Sequence, residues 1–136
     1  SITNLNDIYE KNNTCYHDNY INSSYIFIDE SQFFGDLYDF VLNAVNKDGK
    51  NLLLFGLDGD FRQEPFGDIL RLIPHADNVI KLKSLCKVCN DGTEGLFTIR
   101  IDNNNNINDK KKENQILVGN DNIYSTVCRI HLIERL

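Results

Sequence analysis

YIFIDESQFFGD, residues 25–36, decides the fold. Tyr25, Ile26, Phe27 and Ile28 run apolar without a break and end in two adjacent carboxylates, Asp29 and Glu30. A continuous apolar run of this kind reads as a strand buried on both faces, as in a parallel sheet. Downstream, Leu37, Phe40, Val41, Ala44 and Val45 mark one helical face, and Gly49 supplies a stop. NLLLFGLD, residues 51–58, is a second apolar strand that also ends in acid. GDFRQEPFG is a loop, with Gly59 and Gly67 as breakers and Pro65 as punctuation. DILRLIPHAD then reads as a short helix broken at Pro74, and NVIKLKSL, residues 78–85, alternates like a third strand. Strand, helix, strand, helix, strand predicts an α/β fold built on a parallel sheet. Ligands of such sheets sit beyond the carboxyl ends of the strands, which puts Asp29, Glu30 and Asp58 where chemistry belongs.

Outward from this core the chain changes character. Residues 1–24 are polar and Asn-rich, with a short helix expected around Ile2, Leu5 and Ile8. The sequence starts without Met and in mid-pattern, which points to a fragment or a processed product. Its 136 residues suffice for one domain with a real core, or a domain plus a small appendage. The formal net charge of −6 advertises no nucleic-acid partner. No apolar run is long enough to span a bilayer and no signal peptide is recognisable, so the expectation is a cytoplasmic protein without membrane partners, in a reducing compartment. After residue 85 comes CKVCNDGTEGLFTIRI, a knuckle followed by a strand. Residues 102–115, DNNNNINDKKKENQ, are low-complexity and polar. ILVGNDNIYSTVCRIHLIERL returns to strand and closes with a second knuckle. The expected organisation is therefore an α/β part over residues 1–82 and a small metal-binding part over residues 83–136.

Cys86 and Cys89 form a C-x-x-C pair, and Cys128 and His131 a C-x-x-H pair after a gap of 38 residues. Each pair places two ligands on one tight turn, and two turns complete a tetrahedron of the thiolate and imidazole type that zinc prefers. No coordination position is left open, so the zinc is expected to be structural, tying down the ends of the Asn/Lys-rich loop. Cys15 stands apart as an unligated thiol.

An apolar strand ending in Asp resembles the Walker B element of P-loop enzymes, whose acid holds Mg²⁺ beside the ATP phosphates. A neighbouring strand residue points the other way, which frees Glu30 for a different role, general base toward a substrate hydroxyl. Solvated acids at an ordinary strand end are the plainer alternative.

Taken together, DESQFF (29–34), GLDGDFRQEPFG (56–67), LKSLCKVC with GLFTIR, and ILVGNDNIYSTVCRIH resemble the small, zinc-containing thymidine kinase family. The four stretches come in the family's order and cover nearly the whole chain from residue 25. The resemblance implies a partial P-loop kinase sheet followed by a small zinc-ribbon and lasso subdomain. It implies transfer of the γ-phosphoryl of ATP to the 5′-hydroxyl of thymidine or deoxyuridine. On this resemblance Glu30 is the catalytic base, Asp29 the Mg²⁺-site acid, and Gln32 a residue close to the nucleotide phosphates. Phe33, Phe61 and Phe66 would enclose the base, although core packing explains each of them equally well. Gln115, Ile116, Leu117, Val118, Gly119 and Tyr124 would form the lasso over thymidine. GNDNIYSTVC carries one residue more between its Gly-Asn pair and the Tyr than the common family form. The zinc ligands are Cys86, Cys89, Cys128 and His131, and the family's usual assembly is a homotetramer.

The departure lies at the front. No G-x-x-x-x-G-K-[ST] loop occurs in the chain, and only 24 residues precede Tyr25. Without that cradle for the triphosphate, the polypeptide alone is expected to bind ATP poorly and to be inactive. Three other readings stand beside the kinase: a zinc-ribbon binding or assembly module without catalysis, a fragment of another P-loop ATPase, and a kinase-like subunit acting through assembly with intact chains.

Overall fold

A computed structural model of the chain describes residues 4–9, 14–101 and 123–134. The chain divides into two compact units, Ser1–Asp58 with Pro65–Asn78, and Gly59–Glu64 with Val79–Leu136.

The first unit is built on two parallel strands, β1 (Tyr25–Ile28) and β2 (Asn51–Leu54), paired in register from Tyr25↔Asn51 to Ile28↔Leu54. They are joined by the helix expected from the sequence. Its buried residues Leu37, Phe40, Val41 and Ala44 recur at i, i+3, i+4 and i+7, one face of a helix. A polar helix precedes β1, so the two are α1 (Thr14–Asn22) and α2 (Leu37–Asn46). The α2 face meets Ile28 and Leu72 in one core, with Ile26, Leu52, Leu54 and Ile69 against it. Gly49, at φ 64°, turns the chain after α2 as a C-terminal glycine does.

The expectation of a strand buried on both faces is corrected. Tyr25 and Phe27 are 63% and 66% exposed, whereas Ile28 is buried. Side chains alternate across a strand, and α2 covers only the face carrying Ile26 and Ile28. Leu53 and Phe55 are exposed as well. β1 also stops at Ile28, two residues short of the predicted end, and β2 at Leu54, four short.

α1 had no apolar period to announce it. Among its described side chains only Tyr20 is buried, and polar contacts hold the helix. The Tyr20 hydroxyl donates to Asp48 Oδ2 at 2.5 Å, and Lys50 Nζ donates to the carbonyls of Ile21 and Ser23. Tyr9, from a 3-10 helix over Leu5–Tyr9, stacks edge-on to Tyr20 at 5.2 Å.

A further 3-10 helix spans Ile69–His75 with Pro74 inside it, so Pro74 does not break the turn. The fixed proline φ suits 3-10 geometry, and so short an element loses little by one missing N–H.

In the second unit, β3 (Ser84–Leu85) pairs antiparallel with β4 (Glu94–Gly95), and β5 (Phe97–Arg100) with β6 (Tyr124–Val127), before α3 (Arg129–Ile133). The third strand predicted over residues 78–85 is realised only at Ser84–Leu85. Among the described residues no strand forms a ladder with the segment before it, and Ile80 and Leu82 are left exposed. An alternating pattern without a neighbouring ladder has no strand to complete. The core is small, centred on Cys86, Ile99, Val127, Cys128 and Leu132. No helix among the described residues is long and apolar enough to cross a membrane.

Candidate functional site

At the end of β1 the chain turns sharply. Glu30 adopts φ 50° and ψ 40°, the left-handed region, which costs a residue with a Cβ about 1–2 kcal/mol. The pleat therefore does not separate the two carboxylates, as the strand reading had it; the turn does. The Glu30 amide donates to Asp29 Oδ1 at 2.9 Å. A 3-10 turn, Ser31–Phe33, follows. Its entry is tied to the end of β2, because Phe55 N donates to the Ile28 carbonyl at 2.8 Å and Ser31 N to the Phe55 carbonyl at 2.9 Å.

Gln32 is 4% exposed. Its Nε2 donates to Glu30 Oε2 at 2.6 Å, and its Oε1 accepts from the Leu57 amide at 3.0 Å. Two glycines make room for it. A Cβ on Gly56 would stand 2.6 Å from Gln32 Oε1 and 2.6 Å from Ser31 Oγ. A Cβ on Gly67, at φ 63°, would press on the Gln32 carbonyl oxygen and stand 3.0 Å from its carbonyl carbon and Cα. Ser31 is fully buried and its hydroxyl finds no hydrogen-bond partner among the described residues.

The predicted aromatics fall into two pairs, each within its own unit. Phe33 and Phe66 meet edge-on, centroids 5.4 Å apart at 89°. Phe66 is buried and Phe33 half-exposed. In the second unit Phe61 lies 6.3 Å from Tyr124, the first residue of β6. The loop carrying Phe61 is organised by Asp60, a buried carboxylate that sequence reasoning passed over. Asp60 Oδ1 accepts from the amides of Arg62 and Glu64 at 2.8 and 3.1 Å, and Oδ2 from the Arg62 guanidinium at 3.1 Å. The only sequence signal was an Asp two residues before an Arg in a Gly-bounded loop. Gln115, Ile116, Leu117, Val118 and Gly119 lie outside the described residues.

The four predicted metal ligands come together. His131 Nδ1 lies 3.6, 3.4 and 3.2 Å from the Sγ atoms of Cys86, Cys89 and Cys128, and Cys89 Sγ lies 3.9 Å from Cys128 Sγ. Tetrahedral bonds of standard zinc–sulfur and zinc–nitrogen length demand edges of roughly 3.8 Å between sulfurs and roughly 3.5 Å from sulfur to nitrogen. The set fits a tetrahedral ion, and all four ligand atoms lie within 4.8 Å of one another. Local structure builds each half: Cys86 N donates to the Thr93 carbonyl at 2.7 Å, and His131 sits one turn into α3, which Cys128 caps. Burial pushes the Cys86 thiol up, but backbone amides of Cys89, Cys128 and Val88 outweigh it and bring it down to about 6. Burial, then the neighbouring thiols, pushes Cys89 up to about 11. The Cys128 and Cys86 thiolates raise His131. A Cys₃His cluster with this geometry can hold a metal ion with no position left for substrate.

Residues 2–132 match the family model described as thymidine kinase. The chain is 41% identical over 108 residues to a thymidine kinase of Oryza sativa subsp. japonica, covering 79% of this chain and 36% of the rice protein. It is 37% identical over 117 residues to a thymidine kinase of Mycoplasma genitalium, covering 85% and 52%. It is 38% identical over 103 residues to the cytosolic thymidine kinase of Homo sapiens, covering 76% and 39%. The aligned part of the chain thus spans about half or less of the length of these relatives.

Proposed function

The chain belongs to the thymidine kinase family, and on that footing we propose that the acidic end of β1 serves phosphoryl transfer from ATP to the 5′-hydroxyl of thymidine or deoxyuridine. Glu30 accepts the hydroxyl proton as the nucleoside oxygen attacks the γ-phosphorus. The new O–P bond forms while the bond to the bridging oxygen breaks, and ADP leaves. Asp29 offers the hard oxygen donor that Mg²⁺ takes, and Mg²⁺, when bound, neutralises charge on the transferred group. Gln32 belongs to the same strand end, on the phosphate side of the site. Phe33 and Phe66 in the first unit and Phe61 in the second offer flat apolar surface of the kind a pyrimidine takes, and Tyr124 with Gln115, Ile116, Leu117, Val118 and Gly119 are the candidate thymidine contacts of the lasso. Residues 1–82 carry this phosphoryl-transfer half and residues 83–136 the lasso, held by a structural zinc on Cys86, Cys89, Cys128 and His131. The sequence contains no G-x-x-x-x-G-K-[ST] stretch, so these residues account for base and metal-site acid and not for a triphosphate cradle. A cytoplasmic homotetramer is the assembly proposed.

The observation that carries the reading is Glu30 itself. A glutamate held in a left-handed conformation at the end of a parallel strand, beside a second carboxylate, is strain of the kind that clusters at reacting sites. The test is Glu30→Gln in a full-length thymidine kinase carrying residues 25–67 of this chain. Loss of the base lowers kcat by about 10²–10⁴-fold. Thymidine binding stays in place, because a neutral amide of the same shape preserves the pocket. Parallel loss of binding and turnover would make Glu30 a structural residue and overturn the proposal. The zinc-ribbon binding module is not favoured by the family match.

A further inference from the structure

A glutamine buried to 4% exposure has an amide that must be satisfied inside the protein, and Gln32 satisfies both ends. Its NH₂ faces the Glu30 carboxylate at 2.6 Å and its oxygen faces the Leu57 amide at 3.0 Å. The reverse orientation would set oxygen against carboxylate and NH₂ against N–H, so the two neighbours fix the amide uniquely. Gly56 and Gly67 confine it from two further sides, one against its side-chain oxygen and the other against its backbone. Glu30, by contrast, is exposed, and an exposed glutamate samples many rotamers unless a partner selects one. A short bond between an amide and a carboxylate is of the stronger, charge-assisted kind.

We propose that Gln32 is a positioning residue: it clamps the Glu30 carboxylate through Oε2, leaves Oε1 for the substrate proton, and anchors that geometry to the segment after β2 through the Leu57 amide. This rests on the reading of Glu30 as the base. It gives Gln32 a role that acts through another side chain, not through its own contact with phosphate. Ground-state binding of thymidine does not depend on where the Glu30 carboxylate points, whereas proton transfer does.

Gln32→Glu separates the two bonds. The new side chain keeps an oxygen to accept from Leu57 and replaces the donor to Glu30 with a repelling carboxylate oxygen. Gln32→Leu removes both. The first arm uses the chain as it stands and needs no turnover: ¹⁵N spectra and hydrogen exchange of the Gln32 side-chain amide and the Leu57 backbone amide. The Gln32 amide is expected to exchange at least about tenfold more slowly than an exposed glutamine, and to lose that protection in Glu30→Ala. Leu57 stays protected in Gln32→Glu and loses protection in Gln32→Leu. A Gln32 amide that is indifferent to Glu30→Ala overturns the clamp.

The second arm measures kinetics in a full-length thymidine kinase carrying residues 25–67 of this chain. Gln32→Glu is expected to lower kcat by about 10²-fold, the effect of misplacing a reacting group by an ångström, with the KM for thymidine unchanged. Full kcat in Gln32→Glu beside an inactive Glu30→Gln overturns the clamp and leaves the base in place. Full activity in Glu30→Gln removes the base and the clamp together.

Discussion

Gly67→Ala isolates the close approach on which the strand end depends. Gly67 sits at φ 63°, so any side chain there carries left-handed strain of about 1–2 kcal/mol. Its Cβ would also press on the Gln32 carbonyl oxygen and stand 3.0 Å from two more Gln32 backbone atoms. Backbone cannot rotate away as a side chain can, so the 3-10 turn must shift, and overpacking of this kind adds about 1–3 kcal/mol. Gly49→Ala is the control. It has φ 64° in the same unit, and nothing lies within 4 Å of its added Cβ, so it carries the strain without the collision. Urea unfolding followed by a probe in the first unit should therefore show Gly49→Ala losing about 1–2 kcal/mol and Gly67→Ala about 2–5. With a slope near 1–3 kcal/mol per molar urea, the two midpoints should separate by about 1 M. The Gln32 side-chain amide should move only in Gly67→Ala. Coincident midpoints, or a Gln32 amide undisturbed by Gly67→Ala, would refute the packing argument.

Other outcomes follow from the same geometry. The purified chain should bind close to one zinc per chain, and Cys128→Ala or a strong chelator should lower the unfolding midpoint of the second unit, whose core among the described residues is small; urea unfolding and metal analysis check both. In the metal-free chain the Cys86 thiol falls from an ordinary 9.0 to about 6, so its contribution is present above 9 and is lost as pH falls toward 6. Cys89 rises from 9.0 to about 11, so its contribution is present below 9 and is lost as pH climbs toward 11. His131, raised from 6.5, offsets part of the acid-side loss. Metal-free stability should therefore peak near pH 9, and denaturant midpoints across pH that rise steadily through 11 would contradict it. Ser31→Ala removes a buried hydroxyl that has no partner among the described residues, so it should be neutral or stabilise by about 1 kcal/mol in the same unfolding assay; a clear loss would mean the hydroxyl is satisfied.

The β1–α2–β2 unit was legible because its signals are local and strong: two apolar runs and a helix with a 3.6-residue period. The Cys and His pairs were legible because chelation needs short spacing, and the fold closes the long gap between them. α1 was hidden because its stability comes from Tyr20, Asp48 and Lys50, contacts distant in sequence that no periodicity records. Residues 78–83 misled for the opposite reason. Val79, Ile80 and Leu82 carry strand propensity, yet propensity needs a partner strand to be realised. At the candidate site, the residue types were readable and their conformations were not. Glu30 was read as the end of a strand, and its left-handed φ depends on how Ser31 bonds back to Phe55. Gln32 was placed close to the nucleotide phosphates by the family resemblance alone, and its burial shows only in the fold, where two glycines make room for it.

Those glycines tie the strain at Glu30 to the rest of the unit. A left-handed glutamate persists only where its surroundings over-determine it. Here the determinants are the Ile28–Phe55 and Ser31–Phe55 backbone bonds on one side and the buried Gln32 amide on the other. Gly56 lies in the same stretch of chain as Phe55 and Leu57, so the segment that fixes the turn after β1 also receives the Gln32 side chain. The geometry of the acid is thus dictated from β2 and from the loop beyond it, with β1 delivering the residue and α2 securing the sheet. A substitution at Gly56 or Gly67 should accordingly disturb Glu30 more than one at Tyr25 or Phe27, although the latter two are nearer in sequence on the strand that leads to it.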